Sequence, residues 1–191
     1  MEGDTAKRII QVAHDLLAER GFSAFSFADI AEAVGIRKAS IHHHFPTKTA
    51  LVVTVLEQHR QRMEEGHAAL DQHFASPAER LQKYVAHWEV CIRKQTEPIC
   101  IAALLGAELP GLPEEVQAAV GEHFKCLRQW ISKNLKLGTR QEIFKLQDSA
   151  DIEAEMLMAS VHGAMITARV NHSSTLFRQL TQSALRRITQ S

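Results

Sequence analysis

The chain has no net charge: 22 Lys and Arg offset 22 Asp and Glu across 191 residues. That excludes the uniformly basic surface of a protein that coats nucleic acid. Three cysteines, Cys91, Cys100 and Cys126, are too few and too odd in number for a disulfide framework. A reduced, cytoplasmic setting is therefore expected. No apolar run approaches the ~18 residues that span a bilayer. The start, MEGDTAKRII, lacks a basic segment followed by a long apolar one, so no secretory signal is expected either. Also missing are a Gly-rich phosphate loop, a dinucleotide fingerprint, an HExxH pair and a nucleophile elbow. Neither an enzyme nor a cofactor is expected on these grounds. A helical enzyme, or an interaction module that does not bind DNA, is the alternative class. Strand-like alternation persists nowhere, and no internal repeat is visible.

What remains is helical periodicity. A hydrophobic share of 45% supports one or two domains with a real core. Ile9, Val12, Ala13, Leu16 and Leu17 share a helical face, with Gly21 as a stop. Ser26 stands three before Asp29, an N-cap pattern for a helix over about 27–34. Gly35 suits a left-handed turn. A third helix runs from about 38 to 44, and Pro46 ends it. Thr47 caps a long fourth helix carrying Leu51, Val52, Val55, Leu56 and His59. Ser76-Pro77-Ala78-Glu79 is the clearest helix start in the chain. Further helices are expected at about 99–107, from 114 to about 136 with Gly138 as stop, and at 150–170 and 174–189. The fold class is all-α with about nine helices.

The most informative window is residues 26–48: short helix, glycine turn, short helix, lysine. A turn between two short helices is how one helix is placed in the DNA major groove. Ile30, Ala31, Val34, Ile36, Ile41 and Phe45 supply a core, and small Ala39 lets the second helix approach a backbone. Arg37, Lys38, Ser40, His42 and His43 are left facing outward. Between Ala33 and Leu56 the only charged residues are Arg37, Lys38 and Lys48, all basic. Ser40 and the imidazoles can donate or accept toward base edges. Lys48 and Ser26, each beside a helix N-terminus, suit phosphate. The three consecutive histidines splay around the helix and cannot share one metal ion.

Phe27-Ala28-Asp29-Ile30-Ala31, Val34-Gly35-Ile36, Lys38-Ala39-Ser40-Ile41-His42-His43-His44-Phe45 and Lys48 together resemble the DNA-binding domain of the TetR family of transcriptional regulators. The likeness covers residues 7–56. Arg37 stands for a usual polar residue, Ala39 for glycine, and His42-His43 for an aromatic pair. The resemblance implies a DNA-binding domain over 1–47 and an effector-binding and dimerisation domain over 48–191. It implies a homodimeric, ligand-responsive repressor on a near-palindromic operator of double-stranded DNA, released by an unknown small molecule or electrophile.

Tyr84, His87, Trp88, Cys91, Cys100, Leu104, Phe124, Leu127 and Trp130 are apolar or aromatic with a few polar groups, which suits either an effector pocket or a helical core. The stretch around Cys100 resembles a TetR subgroup containing electrophile- and oxidant-responsive repressors, which raises Cys100 as a sensing thiol beside the plain reading of a buried apolar residue. His87 and Cys91 lie four apart, and His123 and Cys126 three apart; each pair shares a helix face, and the two pairs together supply the four donors of a tetrahedral metal site. Chance placement of 11 histidines makes such pairs common, and no metal is assigned. Ile152, Met156, Ser160, Gly163 and Ala164, then Leu176, Leu180 and Leu185, mark two terminal amphipathic helices that suit a two-fold dimer.

Overall fold

In a computed structural model the backbone is described from residue 2 to residue 189. Among these residues there are nine α-helices and no strand. They are α1 (Glu2–Arg20), α2 (Phe27–Val34), α3 (Lys38–His44), α4 (Lys48–His73), α5 (Pro77–Lys94), α6 (Ile101–Ala107), α7 (Glu114–Arg140), α8 (Ala150–Val170) and α9 (Ser174–Thr189). A single 3-10 turn, Leu109–Gly111, precedes α7. No helix of the described residues is long and apolar enough to cross a membrane.

The punctuation follows local chemistry. Gly21 closes α1 at φ 75°, donating its N–H to Leu17 O at 3.0 Å. Gly35 closes α2 in the same left-handed region, a conformation that costs glycine nothing. The Thr47 hydroxyl accepts from Ala50 N at 3.1 Å and opens α4. Ser76 caps α5, with Pro77 in the first turn, where its missing N–H is not needed. One expectation fails. Gly138 does not stop α7, which continues to Arg140. The glycine is there for space: a Cβ at this position would collide with the Phe144 ring.

The chain forms two compact units. The first holds residues up to Gln61 together with Cys100–His123. Its core includes Ile9, Leu17, Ile30, Ile41, Leu51, Leu56, Ile101 and Leu105, all fully enclosed. The second holds Arg62–Ile99 and Phe124–Ser191. There α9 packs on both α8 and α5, around Leu81, Leu127, Ile131, Val161, Met165 and Phe177. A polar network stiffens this unit. Arg80 donates to Phe74 O at 2.8 Å and to Asn134 Oδ1 at 3.2 Å, and lies 3.4 Å from Asp71. Asp71 also accepts from Trp130 Nε1 at 3.2 Å and Lys133 Nζ at 2.8 Å. Partial burial opposes ionisation of Asp71, but the Lys133, Trp130 and Arg80 donors outweigh it and hold the carboxyl below its usual range.

Candidate nucleic-acid interface

Helix α2 is held by its own first turn. Ser26 N and Ser26 Oγ both donate to Asp29 Oδ2 at 2.7 Å, and Ser26 Oγ accepts from Ala28 N at 3.2 Å. The Ser26 hydroxyl, its backbone N–H and Arg20, 3.8 Å away, hold the Asp29 carboxyl below the usual range. The Ser26 proton is thus spent inside the cap; what remains at this point is the N-terminal end of α2 itself. Arg8 of α1 donates to Val34 O at 2.9 Å, placing a cation where the helix dipole is negative.

Helix α3 is seven residues long. Ile41 is fully buried and Phe45 nearly so, which pins the inner face. Arg37, Lys38, Ala39, Ser40, His42 and His43 are all exposed, so the structure gathers these six expected residues on the helix's open side. His42 is the best defined of them. Its ring meets the edge of Phe27 at 4.9 Å, and its Nδ1 lies 3.3 Å from Pro46 O. A carbonyl only accepts, so Nδ1 is the donor in this contact. The His43 ring stacks edge-on against His44 at 5.6 Å, and His44 in turn neighbours Phe45.

Lys48 departs from the phosphate-facing orientation expected of it. Its ammonium turns inward and donates to the carbonyls of Phe22 and Phe25. It also sits over both rings, 4.6 and 4.1 Å from their centroids. Burial pushes its pKa down, while Asp29 and Glu108 act to raise it. The reason is local: the turn between α1 and α2 offers two backbone acceptors and two aromatic faces within reach of one cation. Glu108 closes the same turn from the other side. Its carboxylate accepts Phe22 N–H at 3.0 Å, and a side chain on Gly21 would clash with it. Sequence reading missed Glu108, Arg8 and Arg20. Only Arg20, a cation in the last turn of α1, carried a local signal.

Residues 9–55 match the family model described as bacterial regulatory proteins, tetR family, and residues 77–183 match the C-terminal domain of LmrA/YxaF-like transcriptional regulators. The chain belongs to the TetR family. It is a ligand-responsive, DNA-binding transcriptional regulator. A TetR-family regulator from Agrobacterium tumefaciens is 42% identical, with a TM-score of 0.97 over 99% of this chain and 100% of that one. A TetR regulator from Legionella pneumophila is 26% identical with a TM-score of 0.85, covering 95% of each chain. The transcriptional repressor NemR of Escherichia coli is 23% identical over 90% of this chain and 87% of its own length.

The residues expected around an effector divide between the two units of this TetR-family chain. Cys100 and Leu104 belong to the first, the other seven to the second. Within the second, Tyr84 and Trp130 meet ring to ring at 5.9 Å. His67, which sequence reading left out, stacks on Trp130 at 3.9 Å and 7° and meets Tyr84 at 5.7 Å. A signal for it existed, since His67 continues the buried stripe of α4 two turns beyond His59. His87 Nε2 lies 3.6 Å from Cys91 Sγ, and burial pushes the Cys91 thiol up. Phe124 faces the ring of His162 at 5.2 Å. Trp88 and Leu127 are core residues.

The residues expected at a dimer surface lie along α8 and α9. Ile152 and Met156 are 50% and 56% exposed. Met156, Ser160, Gly163 and Leu180 line a groove between the two helices. Leu176 and Leu185 are half-buried, and Ala164 is buried in the unit's own core. Ile166 and Val170, exposed at 54% and 74%, extend the apolar face and were not anticipated.

Proposed function

We propose that α3 enters the major groove of an operator and that its open side reads the bases. The observation that carries this is the division of a two-turn helix: Ile41 wholly enclosed, with Arg37, Lys38, Ala39, Ser40, His42 and His43 exposed together. In the tautomer that donates from Nδ1 to Pro46 O, His42 Nε2 accepts from the exocyclic amine of adenine or cytosine. Arg37 and Lys38 meet phosphates, and the N-terminal end of α2 at Ser26 meets another. Lys48 acts by shaping the turn that sets α2.

Two copies associate through α8 and α9, because an apolar face of this extent on a surface helix pair is suited to a partner. The operator is then near-palindromic, with half-sites about one helical turn or slightly more apart. The division of labour is a reading head over 1–47 and an effector-binding, dimerising body over 48–191. An effector, a small molecule or an electrophile, favours the state that does not bind DNA, so the protein acts as a cytoplasmic repressor without catalysis. NemR, a repressor by name, and the repressor DhaR of a Mycobacterium species, 23% identical over 87% of this chain, support that sign of regulation.

The test is a gel shift on the DNA upstream of the protein's own gene. Wild type is expected to shift it. Arg37→Ala with Lys38→Ala is expected to weaken binding and flatten its salt dependence, by about 0.9 in log–log slope for each phosphate lost. Equal affinity and equal slope in that variant would leave the interaction-module reading in its place.

A further inference from the structure

Three side chains that the DNA-reading face does not use converge inside the first unit. His59 of α4, Cys100 at the head of α6 and His123 of α7 are 5%, 1% and 2% exposed. The Cys100 sulfur lies 3.6 Å from Nε2 of His59 and 3.6 Å from Nε2 of His123. The two imidazoles stack with centroids 5.1 Å apart and planes 23° apart. One donor atom from each residue lies within 4.8 Å of the other two. We propose that His59, Cys100 and His123 bind a closed-shell metal cation, Zn2+ or Cu+, through one thiolate and two imidazoles.

Bond geometry supports the assignment. Metal–sulfur and metal–nitrogen bonds of about 2.3 and 2.0–2.1 Å, at a tetrahedral angle, place sulfur and nitrogen about 3.6 Å apart. That separation occurs here twice, with both nitrogens on one sulfur. The donor set has one soft sulfur, two imidazole nitrogens and no carboxylate, which selects against Mg2+ and Ca2+. On binding, one metal–sulfur and two metal–nitrogen bonds form, and the thiol proton leaves to solvent. No electron is transferred with either ion. This arrangement differs from the two helical pairs visible in the sequence, because His123 meets Cys100 and His59 across the fold.

Occupancy has a physical route to the reading head. Cys100 opens α6, and Glu108 just past its end accepts from Phe22 N. His59 lies on α4, whose first residue, Lys48, donates into the same turn. A cation that draws His59, Cys100 and His123 together loads both supports of the turn before α2. This consequence rests on the DNA-binding reading; the metal site itself does not.

Metal-stripped full-length protein is titrated without oxygen using ZnCl2, using Cu+ against a competing chelator, and using Co2+ as a spectroscopic probe. The expected results are one equivalent of Zn2+ or Cu+ per chain and a thiolate-to-cobalt charge-transfer band. Cys100→Ser and His123→Gln should each lose at least ~100-fold in affinity, since residues that merely orient ligands already cost 10–100-fold. Cys91→Ser should keep wild-type affinity. If Cys100→Ser does not fold, as judged by circular dichroism, His123→Gln carries the comparison. No binding of any ion, or a cobalt band that survives Cys100→Ser, overturns the site. In the gel shift, metal-loaded and metal-free protein should differ at least ~5-fold in DNA affinity. Binding of metal with no such difference overturns the coupling and leaves the site standing. Failure of both forms to bind DNA overturns the DNA-binding reading and likewise leaves the site standing.

Discussion

Replacing Lys48 with methionine separates a structural lysine from a phosphate-binding one. The substitution keeps the apolar stem and removes the ammonium. The structure assigns that ammonium two carbonyl acceptors, Phe22 and Phe25, and two aromatic faces. Hydrogen bonds to a charged group contribute about 1.5–3 kcal/mol each. The turn is only half-buried, so the released carbonyls regain water and the lysine's own desolvation is relieved. Lys48→Met should therefore cost about 2 kcal/mol in total, toward the low end of that range. For a chain of this size that is a fall in Tm of about 4–8 °C. Affinity for operator DNA should fall too, because the turn that sets α2 loosens. The slope of log affinity against log salt should not change, since no phosphate contact is lost. Lys38→Met is the control: Tm unchanged, slope reduced by about 0.9 for each phosphate it neutralised. Differential scanning fluorimetry and gel shifts at four salt concentrations are sufficient. If Lys48→Met leaves Tm intact and reduces the salt slope as Lys38→Met does, the inward role assigned to Lys48 is wrong.

Ser26→Ala removes the side-chain half of the α2 cap and should cost about 1 kcal/mol in chemical denaturation. It also removes the largest influence lowering Asp29 from its ordinary value of 3.8. Because the folded value is depressed, Asp29 contributes stability above about pH 4 that fades as pH falls through that lower value. The variant should therefore lose less stability on acidification than wild type does, measured from pH 5 down to pH 2. Met156→Arg places a charge on the exposed apolar face of α8. Two-fold pairing would bury two such charges without partners, at about 3 kcal/mol or more each. Sedimentation velocity should show the variant as a monomer and wild type as the proposed dimer, and an unchanged sedimentation coefficient would remove α8 and α9 as the dimer surface.

Much of the fold was legible because its signals are local. The Ser26–Asp29 pair, Gly35, Pro46 and the Ser76-Pro77 start each act within four residues, and each helix they bound is present as expected. Gly138 was misread for a physical reason. Glycine ends helices when it supplies a left-handed turn, but here it supplies room for Phe144, and spacing alone does not distinguish the two uses. The outward face of α3 was legible because Ile41 and Phe45 fix which side is in. The direction of Lys48 was not, since its acceptors lie 26 and 23 residues away. Likewise, the two histidines that meet Cys100 are 41 and 23 residues from it, whereas the local His87–Cys91 pair was visible at once.

The contact between Glu108 and Phe22, 86 residues apart in the chain, bears on how regulators of this architecture are recombined. A chimera cut just before α4 would transplant the reading head without the carboxylate that holds its first turn. The transplanted turn would lose its Phe22 N–H bond to the carboxylate and keep a glycine shaped for a partner left behind. A graft designed to carry operator specificity into another body should therefore bring Cys100–His123 with it, or supply a carboxylate at the matching point. The compact unit that holds the proposed reading head extends past residue 47 and takes in Cys100–His123, so it is discontinuous in sequence.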